Sequence, residues 1–237
     1  MDAEAMAKAV FDGTYRAPAQ GPPKTAAAPT YNPALLTDPY AGFMIRLFET
    51  LVANTQLPKY QFERRVDAIV TLFLPAILRQ LRGWKVERVV PEFPLKKAEN
   101  NQSTNADHLL FRHADSTGPA ESWVLFELKT DSSSCNDGQL DTYLSALDAG
   151  MPKLLAELEL IAAASNARAK YAELRTRLAG FPVDRPLELV YLAPCRINVR
   201  HDRVLALTFQ ELAPLSLPEF PQVWDLFRSI VLPACRD

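Results

Sequence analysis

Apolar residues recur at helical spacing twice in the first third of the chain, from Pro39 to Ala53 and, more strongly, from about Tyr60 to Leu81. In the second stretch Phe62, Val66, Ile69, Val70, Phe73, Ile77, Leu78 and Leu81 fall on one broad face, the pattern of an amphipathic helix laid on a core. Pro75 lies inside that stretch and predicts a kink, because its ring displaces the preceding turn; Gly83 is placed to end the helix. The period then changes. Residues 84–96 alternate loosely around Val86, Val89, Val90, Phe93 and Leu95, with prolines that bend a strand or set it at a sheet edge. Ala106 to His113 and Ser122 to Thr130 read as two more strands, joined by a Ser-Thr-Gly-Pro-containing link with hairpin chemistry.

Asn136 or Asp137 caps a helix running to about Asp148, and a longer helical region spans Pro152 to Leu178. Leu187 to Leu192 is a near-continuous apolar strand of the buried type, Arg203 to Phe209 is another strand, and Pro221 to Leu232 forms a closing helix. Helix, three strands, helix, strand, strand and helix in that order predict an α/β fold: a mixed central sheet flanked by helices on both faces. Leu154, Leu158, Ile161, Tyr171, Leu174 and Leu178 read as a core or dimer stripe. Residues 1–32 are rich in Ala, Pro and small polar residues that bury too little apolar surface to order themselves. They read as a flexible arm, with a short helix around Ala3 to Val10, and residues 33–237 as one domain.

Composition narrows the class without choosing a function. A chain of 237 residues, 48% hydrophobic and 23% charged, is an ordinary globular protein with room for a substantial core. Twenty-six basic side chains against 28 acidic ones leave a formal charge of -2, so no global basic surplus advertises a nucleic-acid partner. A local basic groove beside an acidic site would average to the same figure. Cys135, Cys195 and Cys235 are far apart and odd in number, which fits a reducing cytoplasm and gives no zinc or iron–sulfur spacing. The longest apolar run, Val66 to Leu78, is broken by Asp67 and Pro75 and is too short to span a bilayer, and no secretory signal precedes it. The expectation is a soluble, cytoplasmic protein without a membrane partner.

The chemistry-bearing residues gather around the predicted hairpin. Strand alternation sends Glu127 and Lys129 to one side and Leu128 to the other. With a turn centred near Thr117 and Gly118, antiparallel pairing sets Asp107 opposite the Glu127–Lys129 segment, at about 4.5–5.5 Å between directly paired Cβ atoms. Two carboxylates that close repel unless a cation lies between them, and such oxygen ligands suit Mg²⁺ (or Mn²⁺), with the Leu128 carbonyl as a further ligand. A metal-bound water is easily deprotonated, and Lys129 beside it can orient that water or stabilise a pentavalent phosphoryl transition state. Gln139 and Tyr143, four apart on the next helix, share a face and could hold a phosphate or steady the lysine. His108, His113 and His201 are scattered and form no ligand cluster, and Lys96 and Lys97 end a strand where solvation explains them.

Asp107, Glu127-Leu128-Lys129 and Gln139-x-x-x-Tyr143 together resemble the signature of the PD-(D/E)XK nuclease superfamily, and the Gln-x-x-x-Tyr element resembles its RecB-like and lambda-exonuclease-like branch. The resemblance runs in element order from about Tyr60 to Phe209. It implies a restriction-endonuclease-like αβββαβ core and divalent-metal-dependent hydrolysis of phosphodiesters in a nucleic acid, DNA first. It further implies that Asp107 and Glu127 bind the metal while Lys129 assists the hydrolytic water. A carboxylate on the helix before the sheet often completes such sites, which makes Glu63 (or Asp67) the candidate, although the helix dipole favours acids there in any case. Glu92 resembles an acidic residue on the strand before the Asp in RecB-like members. The chain departs from the pattern at Ala106, which stands where the superfamily's name has Pro, and it has neither a Gly before the Asp nor a four-cysteine cluster. A nuclease scaffold that binds nucleic acid or protein without cutting, alone or as a homo-oligomer, is the alternative.

Overall fold

The computed structural model describes residues 31–58, 60–96, 103–115, 120–135 and 137–235. The anticipated arm up to residue 30, the hairpin centre at Thr117 and Gly118, Lys97 and Asn136 lie outside them. The first helix, α1 (Pro39–Ala53), starts where the Asp38 carboxylate accepts the N–H groups of Tyr40 and Ala41 and Pro39 takes the first helical position. The second, α2 (Phe62–Arg82), ends at Gly83, whose φ of 70° only glycine adopts without strain. Pro75, where a kink is expected, lies inside α2, which runs on through it as one helix. Pro75 has no N–H for the Thr71 carbonyl four residues back, and the Arg88 guanidinium supplies a donor there instead, at 3.4 Å.

Five strands form one sheet: β1 (Lys85–Lys96), β2 (Ser103–His113), β3 (Ser122–Leu128), β4 (Leu187–Ala193) and β5 (Val204–Thr208), side by side in that order. β1, β2 and β3 are antiparallel neighbours, while β4 and β5 run parallel to β3. The mixed α/β class read from the sequence is therefore the fold. β1 carries Pro91 and Pro94 at an edge, as missing ladder donors require. Every residue of central β3 is buried.

Two helical regions differ from expectation. The helix opening at Asp137 runs as α3 (Asp137–Ala164) with a break at Gly150 (φ 71°, ψ 165°), between the expected end near Asp148 and the expected restart at Pro152; the departure is that the chain leaves the helix again before α4 (Arg168–Leu178). At this second break the Ser165 hydroxyl accepts the Ala167 N–H, a local bond that competes with helix continuation. β5 stops at Thr208 because Thr208 and Glu211 form a reciprocal capping box that starts α5 (Phe209–Leu212). The closing helix is regular only over α6 (Pro221–Leu226); residues 227–231 widen into a π turn before Leu232–Ala234 tightens to 3₁₀.

One face of the sheet packs against α1, α2, α5, α6 and the C-terminal turns through Phe48, Phe73, Leu110, Phe126, Val190 and Trp224. The other packs against α3 and α4 through Leu109, Phe111, Trp123, Leu125, Tyr143 and Leu189. Leu154, Leu158 and Leu178 are spent in this second core. Among the described residues no helix is long and apolar enough to cross a membrane.

Candidate active site

Antiparallel pairing of His108 with Phe126 and Leu109 with Leu125 sets the register, and one further step places Asp107 opposite Glu127. That is the pairing the hairpin argument requires. Glu127 and Lys129 are almost wholly enclosed, 1% and 5% exposed, at the C-terminal end of β3. Their side chains meet directly, and the Lys129 ammonium also reaches Glu63 Oε1 at 3.3 Å, bridging the sheet to the first turn of α2. From the opposite layer Gln139 donates to Glu127 Oε1 at 2.8 Å and the Tyr143 hydroxyl donates to Glu127 Oε2 at 2.5 Å. The four-residue spacing on α3 thus converges on one carboxylate.

Asp107 joins by a different route. Its Oδ2 accepts the Leu128 backbone N–H at 2.7 Å, crossing from β2 to the end of β3. The Leu128 group seen in contact with a site residue is thus its N–H. Its side chain packs on the far face, as alternation demands.

Electrostatics set this cluster apart. Three carboxyl groups, from Glu63, Asp107 and Glu127, share one ammonium. Burial, followed by the nearby negative charge of Glu127, pushes the Asp107 carboxyl up to about 8; the Leu128 N–H and Lys129 pull only partly the other way. Burial likewise raises Glu127 despite its contact with Lys129. Burial would lower Lys129, but Glu127, Glu63 and Asp107 more than reverse it and hold the ammonium above its usual range. Tyr143 is raised by burial and by Glu127, so it stays a neutral donor.

Three contacts around the cluster have no counterpart in the sequence patterns. Asn105 donates from its side chain to Glu92 Oε2 at 3.0 Å, and its carbonyl lies 3.3 Å from the Tyr143 hydroxyl. Glu92 itself adopts a left-handed φ of 51°, a strained conformation for a residue with a side chain. Ser134 reaches Glu63 Oε2 at 3.5 Å. Asp67 does not join Glu63; it faces His108 Nε2 at 3.1 Å, which also lies 2.7 Å from the Thr71 hydroxyl. His108 is thus a buried structural group beside the site, on the α2 face. Only the four-residue step from Asp67 to Thr71 and the alternation after Asp107 hinted at this trio. His113 and His201 pair with Glu87 and Asp202, and the three cysteines are free thiols.

Does this donor set fit a divalent cation? Its composition does: the carboxyl groups of Glu63, Asp107 and Glu127 outnumber the one ammonium, and carboxylate oxygens are the ligands Mg²⁺ takes. No group of three or more His, Cys, Asp or Glu side chains is preassembled as a ligand cage among the described residues, because Lys129 stands between Glu63 and Glu127. Comparison with known proteins yields no assignment: no family model matches the chain, and neither a curated protein nor a solved structure matches it.

Proposed function

We propose that this protein is a divalent-metal-dependent nuclease of the PD-(D/E)XK type that hydrolyses phosphodiester bonds in nucleic acid, with DNA as the first substrate class. One observation carries the reading. Glu127 and Lys129 are buried in contact at the end of the central strand, with Asp107 beside them and the Gln139–Tyr143 pair closing on Glu127. Burying that many ionisable groups in one place costs several kcal/mol per ion, and a fold bears such a cost where chemistry needs it.

In this reading Asp107 and Glu127 hold Mg²⁺ or Mn²⁺, Glu63 completes the set, and the carbonyl of Leu128, which lies between Glu127 and Lys129, is a further oxygen ligand. The ion's contribution is to acidify a bound water and neutralise charge on the phosphoryl group. The chain supplies the rest. Lys129 offers a fixed ammonium to the attacking water or the reacting phosphate, and Gln139 and Tyr143 fix the Glu127 carboxylate by donating to both its oxygens. The protein acts in the cytoplasm, without a membrane partner.

The test is cleavage of single- and double-stranded DNA by purified protein with Mg²⁺ or Mn²⁺. Glu127→Gln and Lys129→Ala are each expected to lower the rate by about 10²-fold or more. Full activity in both variants sinks the reading. The rival reading, a nuclease scaffold that binds without cutting, is favoured by one feature: both Glu127 oxygens are already engaged by Lys129, Gln139 and Tyr143. Calorimetry separates the two, since the rival takes up no Mg²⁺ or Mn²⁺.

A further inference from the structure

We propose that a single nucleic-acid strand passes over the site end of the sheet, gripped by Arg64 and Arg65 on one face and led away on the other along Arg196, Asn198 and Arg200. The proposal rests on the nuclease reading for the chemistry between the two grips, and it adds the substrate's form and path.

Arg64 and Arg65 follow Glu63 in the first turn of α2. A helix N-terminus carries partial positive charge, so cations there are disfavoured by about 0.3–1 kcal/mol each. Both are exposed, and among the described residues neither enters an ion pair or hydrogen bond that would offset this cost. Two exposed cations next to a site carboxylate, with no partner of their own among the described residues, are free to take an anion from outside.

The second grip lies in the irregular segment between β4 and β5. β4 leaves the sheet beside the site, where the Leu192 carbonyl accepts the Lys129 N–H at 2.8 Å. Exposure then alternates: Arg196, Asn198 and Arg200 are exposed while Ile197 and Val199 are half-buried. Ile197 packs on the α3–α4 core, which anchors the segment on that face. The segment then runs toward Arg203, which is tied to the Leu147 carbonyl and Asp148 of α3. The donors therefore form a ladder leading away from the site.

The two grips lie on opposite faces of one sheet, so a polyanion touching both must turn over the sheet's end. Duplex DNA is stiff over about 150 base pairs and resists such a turn. An unpaired strand makes it freely. That geometry selects single-stranded nucleic acid.

The experiment is fluorescence anisotropy of a fluorescein-labelled oligothymidylate in EDTA, titrated with the full chain over about 50–200 mM salt. Each lost phosphate contact lowers the slope of log K against log salt by about 0.7 on a single strand. Arg64→Ala with Arg65→Ala, and Arg196→Ala with Arg200→Ala, are each expected to lower it by about 1.4 and to weaken binding on the order of tenfold. Lys153→Ala with Lys170→Ala, exposed cations on α3 and α4, should leave both readouts unchanged. No binding, an unmoved slope in either arginine pair, an equal loss in the lysine control, or tighter binding of a matched duplex overturns the path. Cleavage with Mg²⁺ is scored separately on the unsubstituted chain. A strand bound with these slopes and never cut sinks the nuclease reading alone; a strand cut with unmoved slopes sinks the path alone.

Discussion

The two ends of β3 bury charge in opposite ways. Toward its start, at Ser122, the neighbouring Arg112 of β2 meets Glu188 of β4 through two hydrogen bonds of 2.8 and 2.9 Å. Arg112 also donates to the Ala120 carbonyl and lies 4.5 Å over the Trp84 ring. One cation, one carboxylate and a satisfied fork make a neutral structural clasp. At the other end three carboxyl groups share Lys129, and the Asp107 carboxyl is raised to about 8. The same strand thus carries a balanced pair and an unbalanced cluster. The balanced pair neutralises itself; at the unbalanced end, burial and the neighbouring Glu127 charge raise a carboxyl instead, and in the proposed function a divalent cation would relieve that imbalance.

Four measurements can break or sharpen this contrast. The largest effect should come from Lys129→Met, which strands the enclosed Glu127 carboxylate and is expected to cost about 3–5 kcal/mol in urea unfolding at neutral pH. Adding Glu127→Gln should recover most of that loss; if the single change is harmless, the ammonium is not the cluster's counterion. Arg112→Met is expected to cost about 2–4 kcal/mol, somewhat less because the abandoned Glu188 is partly exposed and regains water.

Asp107→Asn tests the imbalance itself and has the opposite sign. A carboxyl raised in the folded state keeps its proton there while the unfolded chain has released it. Metal-free stability therefore falls as pH climbs from about 4 and levels off above about 8. The asparagine keeps an acceptor for the Leu128 N–H and carries no charge. The variant should match the parent near pH 4 and exceed it by about 1–3 kcal/mol at pH 8. Parallel stability–pH curves for the two proteins would contradict the raised carboxyl. Smallest of all, Arg185→Ala at the outer rim of the balanced end should leave the urea midpoint in place, since its bonds to Glu121 and Asp184 are exposed to solvent.

Much of this was legible in the residues because it depends on periodicity. Apolar spacing gave α1 and α2, and alternation put Glu127 and Lys129 on one side of β3. The register expected from the hairpin agrees with the observed pairing of His108 with Phe126, which one further step extends to Asp107 beside Glu127. The breaks were less legible. Arg88 of β1 reaches the Thr71 carbonyl that Pro75 leaves open, and Ser165 bonds locally where α4 separates from α3. Neither hydrogen bond has a periodic signal in the sequence.

The chain's own pattern determined which residue types could meet: a mixed sheet between helices, an acid opposite an acid-x-lysine, an amide and a phenol one helical turn apart. Pattern is local, and those are local facts. Folding in three dimensions decided the partners. It gave Lys129 to Glu63 as well as Glu127, turned Asp67 away toward His108, and seated Asp107 on the Leu128 N–H. Partner choice among several nearby carboxylates depends on distances of an ångström or two and on how deeply each is buried. Those quantities exist only once helix and sheet have closed on one another.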